Sequence, residues 1–274
     1  MASLLADLGW NAAGLSRLLL AMALIAARVV PIFTFAPTFG GRLLPGVVRV
    51  AVSLAFAALL VPAVGQPAVA TWGQLPGAVA IAVLFAKEIA VGVALAFVVS
   101  LPFVAVDVAG RLADVARGAS QAQVLVPQTG ERTTPLGDFG LQLAIALFFL
   151  LGGHLLVLDA LAASYEAVPI AGLPAASGWW GIARVSIDAS AHMFAVAIGL
   201  AAPVLAATFL ADLALGLVNR VAPQVQVYFV GMPAKAVLGV FAFMLALAAV
   251  AVTIAHDTLG GARAVVEAMR GLGR

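Results

Sequence analysis

The chain has 274 residues, of which 64% are hydrophobic and only 9% charged, and its mean hydropathy is +1.16. Soluble domains carry about 25% charged residues, so a soluble globular domain is excluded and an integral membrane protein is expected. A net charge of +2 points to no nucleic-acid partner, and the absence of cysteine excludes disulfides and thiolate metal sites.

Ala, Val and Leu dominate and Gly is frequent, a composition that suits helices packed closely through small residues. The alternating pattern of an outer-membrane barrel is absent. The expected fold is therefore all-α, with about six long, partly kinked hydrophobic helices in one membrane domain. Residues 1–10 include Asp7 and lack a basic stretch, so no cleaved signal peptide is expected. Segment one covers about 15–36 and carries Arg17 and Arg28, with Pro31 and Pro37 at its end. Segment two covers about 47–64 and follows Pro45, a helix-start signal. A Gly- and Pro-rich link at 65–76 leads to segment three, about 77–104, with Lys87 and Glu88 near its middle and Pro102 near its end.

The longest polar stretch follows, at 107–138. It contains Arg111, Asp114, Arg117, Glu131 and Arg132 among Gly110, Gly118, Gly130 and Gly137, and it reads as a loop. Segment four is expected at about 139–163, with His154 and Asp159. A link at 164–184 holds Trp179 and Trp180, which suit a membrane interface. Segment five, about 185–218, carries Asp188, His192, Pro203 and Asp212. Segment six covers about 234–256, before a tail with Arg263, Arg270 and Arg274. A helix of about 34 residues is roughly 50 Å long against a hydrocarbon core of about 30 Å, so segment five kinks at Pro203, tilts or leaves the membrane. Basic residues lie on both sides of this topology and do not orient it.

Lys87 and Glu88 are adjacent and project about 100° apart on a helix, so they are not expected to pair with each other. Charges at mid-segment face protein or water; an ion pathway and a contact with a neighbouring subunit are the two readings. His154 with Asp159, and Asp188 with His192, have no metal-site spacing, and no metal or cofactor is expected. Neither a nucleophile elbow nor a phosphate-binding glycine loop occurs, so enzymatic activity is not expected. The stretch "LGLVNRVAPQVQVYFVGMP" at 215–233 puts an elaborate polar insertion between two span-length segments. Irregular backbone at membrane depth, here and at 107–138, must be surrounded by protein or line a water-filled cavity; an ordinary surface loop is the alternative reading.

Four passages together resemble the FliR/SctT family of the flagellar and non-flagellar type III secretion export apparatus. They are "FAKEIAVGVALAF" (85–97), "AGRLADVARGASQAQVLVPQTGERTTPLG" (109–137), "GGHLLVLDALAASYEAVPIAG" (152–172) and "LALGLVNRVAPQVQVYFVGMPAK" (213–235). The resemblance covers most of the chain. It implies a subunit of the export gate in the bacterial inner membrane, forming part of the channel through which unfolded flagellar or effector proteins pass. The helices would form hairpins in a multi-subunit channel with FliP/SctR-like and FliQ/SctS-like membrane subunits. The large FlhA/SctV-like subunit and the FlhB/SctU-like switch subunit would bind at the cytoplasmic side.

The resemblance further implies a FliP/SctR-like part at about 1–138, including a central plug loop at 107–138. The remainder, about 139–274, includes a FliQ/SctS-like hairpin at 185–256. Plug residues would be Gly110, Asp114, Gly118, Ala119, Ser120, Val124, Leu125, Val126 and Pro127. Asn219, Arg220, Pro223, Gln224, Gln226 and Pro233 would form a hairpin tip that touches partner subunits, with both prolines stopping the helix. Lys87, Glu88, His154, Asp159 and Asp212 would be intramembrane polar groups. A small-solute or ion secondary transporter is the alternative; it requires an inverted repeat, and none is visible. The wording at 117–131 and 133–137 is closer to the non-flagellar branch and "GLVNRVAPQ" with "VGMP" to the flagellar one, which leaves the two systems open.

Overall fold

The computed structural model describes residues 12–39, 45–65, 72, 76–118, 124–125, 132–172, 176–224 and 227–270. Seven helices occur among them. They are α1 (Ala12–Phe35), α2 (Gly46–Leu60), α3 (Ala78–Ala116), α4 (Pro135–Leu150), α5 (Gly153–Ala167), α6 (Ala176–Val221) and α7 (Val227–Arg270). A 3-10 turn, Pro37–Phe39, follows α1, and a π turn, Val61–Gly65, extends α2. The two-residue strands β1 (Val124–Leu125) and β2 (Arg132–Thr133) pair antiparallel, Val124 opposite Thr133 and Leu125 opposite Arg132. Among the described residues five helices are long and apolar enough to cross a membrane, and six spans result if α4 and α5 count as one broken span. The chain is an all-α, multi-pass membrane protein.

The helices differ from the expected segments in four ways, each with a local cause. First, α3 runs through 107–116, so Gly110 and Asp114 are helical and not in a loop. The polarity there is helix-compatible: Arg111 bonds Asp107 four residues back at 2.9 Å and Arg117 pairs with Asp114 three residues back, spacings that stabilise helices. Second, segment four is broken. Gly152 takes φ +74°, the left-handed conformation that ends helices, and α4 and α5 meet at 72°. Third, Trp179 and Trp180 lie inside α6, which begins nine residues before the expected 185. Fourth, α7 contains Pro233 and continues to Arg270, so Pro233 does not stop the helix. It lies in the second turn of α7, where it forgoes one backbone hydrogen bond.

By packing, the chain divides into two compact units. The first comprises Met1–Ser100, His154–Asp188 and Gly260–Arg274. Its core is built from Leu24, Ile25, Val29 and Ile32 of α1, Val91, Leu95 and Val99 of α3, Leu161 of α5, and Val265 and Met269 of α7. Gly92 lets α3 approach α1 so closely that a Cβ there would strike the backbone carbonyl of Arg28.

The second unit comprises Leu101–Gly153 and Ala189–Leu259. Phe103 and Phe148 meet edge-on at 5.4 Å, and Ala113, Leu136, Val204, Ala242 and Phe243 form one core cluster. Within it α6 and α7 form an antiparallel hairpin. Leu215 faces Gly231, Asp212 pairs with Lys235 at 2.8 Å, and His192 lies 3.3 Å from Asp257.

Candidate functional site

In the first unit a charged cluster is sealed inside an otherwise apolar core. Arg28, Glu88 and Lys87 are 0%, 0% and 2% exposed. Arg28 donates from Nε to Glu88 Oε2 at 2.5 Å, from Nη1 to Ser164 Oγ at 3.1 Å and from Nη2 to the Val168 carbonyl at 2.8 Å. Its guanidinium also stacks over the Tyr165 ring at 4.1 Å, a cation–π contact. Tyr165 in turn donates to the Ile25 carbonyl at 3.2 Å. Lys87 Nζ lies 2.8 Å from Glu88 Oε1 and donates to the carbonyls of Pro169, Ile170 and Gly172 at 2.7, 3.0 and 3.0 Å.

Lys87 and Glu88 thus pair, against the expectation from their adjacency. The long lysine stem folds back to reach the carboxylate, a freedom that Cβ directions alone do not capture. Two cations surround one anion, and backbone carbonyls of 168–172 take up the remaining positive charge. Buried ions persist only when every donor is matched in this way. The cluster ties α1, α3, α5 and the turn after α5 into one body. Its donors are used within the protein, which favours a fixed structural role over an ion path.

In the second unit a smaller bracket joins α3 to α4. Asp114, 1% exposed, accepts from Arg117 Nε at 2.8 Å through Oδ1 and from the Leu136 backbone N–H at 2.9 Å through Oδ2. The glycines cross here as well: a Cβ on Gly110 would lie 2.5 Å from the Gly137 Cα.

The hairpin between α6 and α7 presents a polar end. Asn219 and Arg220 occupy the last turn of α6, Pro223 and Gln224 form the turn, and all four are exposed. Arg220 sits at the negative end of the helix dipole. Pro233 is exposed on α7.

Other predicted site residues are more scattered. Asp212 is exposed and paired with Lys235, whereas Asp159 is exposed on α5 and forms no ion pair with another described residue. His154 is half-buried in the first turn of α5. His192 pairs across the hairpin with Asp257, which His256 also contacts at 3.0 Å. Among the described residues no group of three or more His, Asp or Glu is placed to hold a metal. Gly118, at φ +82°, turns the chain out of α3. Val124 and Leu125 form β1, while Ala119, Ser120, Val126, Pro127 and Gln226 lie outside the described residues. Sequence reasoning passed over Ser164, Tyr165 and Gly92 as partners of the cluster. The one available signal was Arg28 itself, a charge inside an apolar segment that requires a counter-charge.

These features define a multi-pass helical membrane protein with a buried, internally hydrogen-bonded charge cluster and long, outwardly apolar hairpin helices. Residues 19–259 match the family model described as Bacterial export proteins, family 1. The Yop proteins translocation protein T of Yersinia pestis is 34% identical over 227 residues, 82% of this chain and 84% of that protein. The flagellar biosynthetic protein FliR of Bacillus subtilis is 29% identical over 234 residues, 85% of this chain and 88% of that protein. The secretion system apparatus protein SsaT of Salmonella typhimurium is 32% identical over 155 residues, 57% of this chain and 59% of that protein. The chain belongs to this export family, the FliR/SctT family.

Proposed function

We propose that the chain is a non-enzymatic subunit of the type III secretion export gate in the bacterial inner membrane. It forms part of the channel through which unfolded flagellar or effector proteins leave the cell. The observation that carries this reading is the match of residues 19–259 to the export family. Relatives named for Yop protein translocation and for flagellar biosynthesis, each aligned over more than four-fifths of this chain, support it.

In this reading the subunit assembles with FliP/SctR-like and FliQ/SctS-like membrane subunits, resembling the first through about 1–138 and the second through the hairpin within 139–274. FlhA/SctV-like and FlhB/SctU-like subunits dock on the cytoplasmic side. The exposed end of the α6–α7 hairpin, with Asn219, Arg220, Pro223 and Gln224, touches neighbouring subunits near the channel entrance. The chain between α3 and α4 serves as the resting plug. Deleting residues 118–126 from the assembled complex tests the plug: bilayer conductance without substrate is expected to rise. A resting channel as tight as the parent, with secretion intact, would identify a surface connector instead.

A further inference from the structure

Lys87 Nζ stands where four oxygens converge. Pro169, Ile170 and Gly172 present their backbone carbonyls to it at 2.7, 3.0 and 3.0 Å. The fourth oxygen is Glu88 Oε1 at 2.8 Å, which is buried and receives no hydrogen bond from a described residue. An ammonium has three N–H donors and no acceptor, so the three carbonyls use all its protons and the carboxylate oxygen meets the charge alone. A neutral amine would set its lone pair against one of these oxygens, so the geometry demands the cationic form.

The chain after α5 is curled to make this shell. Helix α5 closes with the Val168 N–H on the Ser164 carbonyl at 2.9 Å. Pro169 has no N–H to donate, and the Gly172 N–H returns to the Pro169 carbonyl at 3.2 Å. Pro169, Ile170 and Gly172 thereby turn their carbonyls toward one point. Carbonyl oxygens gathered in this way replace the hydration shell of a bare cation. Their distance selects the class of ion. Mg²⁺ binds oxygen at about 2.0–2.1 Å and Ca²⁺ at about 2.3–2.6 Å, both shorter than the 2.7–3.0 Å found here. The one carboxylate is also shared with Arg28, which leaves too little negative charge for a divalent ion. The shell fits a large monovalent cation, ammonium or potassium.

We infer that Glu88 Oε1 and the carbonyls of Pro169, Ile170 and Gly172 form a monovalent-cation site whose built-in occupant is the Lys87 ammonium, and that the site takes up free potassium or ammonium once that side chain is cut back. The tether makes the parent protein indifferent to which monovalent salt surrounds it. Charge alone does not replace Lys87. A guanidinium is planar and forked and cannot put its charge at the single point on which the oxygens converge.

Thermal unfolding of the complex purified with its partner subunits tests the site, in potassium, ammonium or N-methylglucamine chloride at equal ionic strength. Lys87→Ala removes the ammonium and leaves room for an ion. Its melting temperature is expected to rise by about 2–4 °C from N-methylglucamine to potassium or ammonium, and to climb with cation concentration as ligand binding to the folded state requires. The parent should show no such difference. Neither should Lys87→Met, whose apolar chain refills the space. A gain of the same size in the parent or in Lys87→Met is a general salt effect and overturns the site, as does a Lys87→Ala complex indifferent to the cation. Should Lys87→Ala fail to assemble, Lys87→Arg carries the test. It keeps the positive charge, yet its melting temperature is expected to fall by several degrees; a Lys87→Arg complex as stable as the parent would show that charge suffices and overturn the convergent shell.

Discussion

Arg28 lies 60 residues from Glu88 in sequence, and no solvent separates it from Glu88 and the adjacent Lys87 in space. Their stoichiometry decides which loss matters most. Removing Glu88 leaves two buried cations facing each other, whereas removing Lys87 leaves a neutral Arg28–Glu88 pair and three carbonyls without their donor. Breaking a buried pair so that a charge is stranded costs about 3–5 kcal/mol, and an unpaired buried polar group about 1–3 kcal/mol. Thermal unfolding of the purified complex is therefore expected to show Glu88→Ala as more damaging than Lys87→Met; the reverse order would mean that the carbonyl contacts dominate. Gly92→Ala should destabilise as well, since its Cβ would meet the Arg28 carbonyl and backbone cannot yield as a side-chain tip can. The sequence displayed the three charges and their cost. It hid their pairing, because partners on α1, α3 and the turn after α5 are brought together only by tertiary packing.

At the scale of elements, most apolar segments were legible from hydropathy alone, and their ends were not. Residues 107–116 read as loop because they are polar, yet Asp107 with Arg111 and Asp114 with Arg117 carry helix spacing that could have extended α3. The break between α4 and α5 was signalled by Gly152–Gly153, but an apolar run on both sides masked it. Gly152 at φ +74° makes that bend testable. Gly152→Ala places a Cβ in the left-handed region at about 1–2 kcal/mol, and a melting temperature unchanged by it would show that the bend does not depend on this residue. The Asp212–Lys235 contact behaves differently. Its carboxylate is 56% exposed, and exposed ion pairs contribute about 0–1 kcal/mol. Asp212→Lys and Lys235→Asp should each cost less than about 1 kcal/mol, with the double exchange recovering it; a larger single-mutant loss would mean that the hairpin depends on the pair.

At the scale of the whole molecule, the apolar surface is what demands explanation. At 46 and 44 residues, α6 and α7 are each more than 60 Å long at about 1.5 Å per residue, twice the hydrocarbon core of about 30 Å. Leu213, Leu217 and Val221 form an i, i+4, i+8 row on α6, 52%, 65% and 86% exposed. Apolar helix surface beyond the bilayer requires protein cover, which the proposed partner subunits supply. Arg220→Glu or Pro223→Leu at the hairpin end is expected to reduce secretion severalfold while the subunit still accumulates in the membrane; secretion at the parental level would remove the end from the partner interface. The most direct measurement is co-expression of the tagged chain with the FliP/SctR-like and FliQ/SctS-like subunits, followed by native mass spectrometry of the detergent-purified material. The account predicts one stable complex that contains all three proteins. A monodisperse, thermally stable monomer that retains neither partner would contradict it.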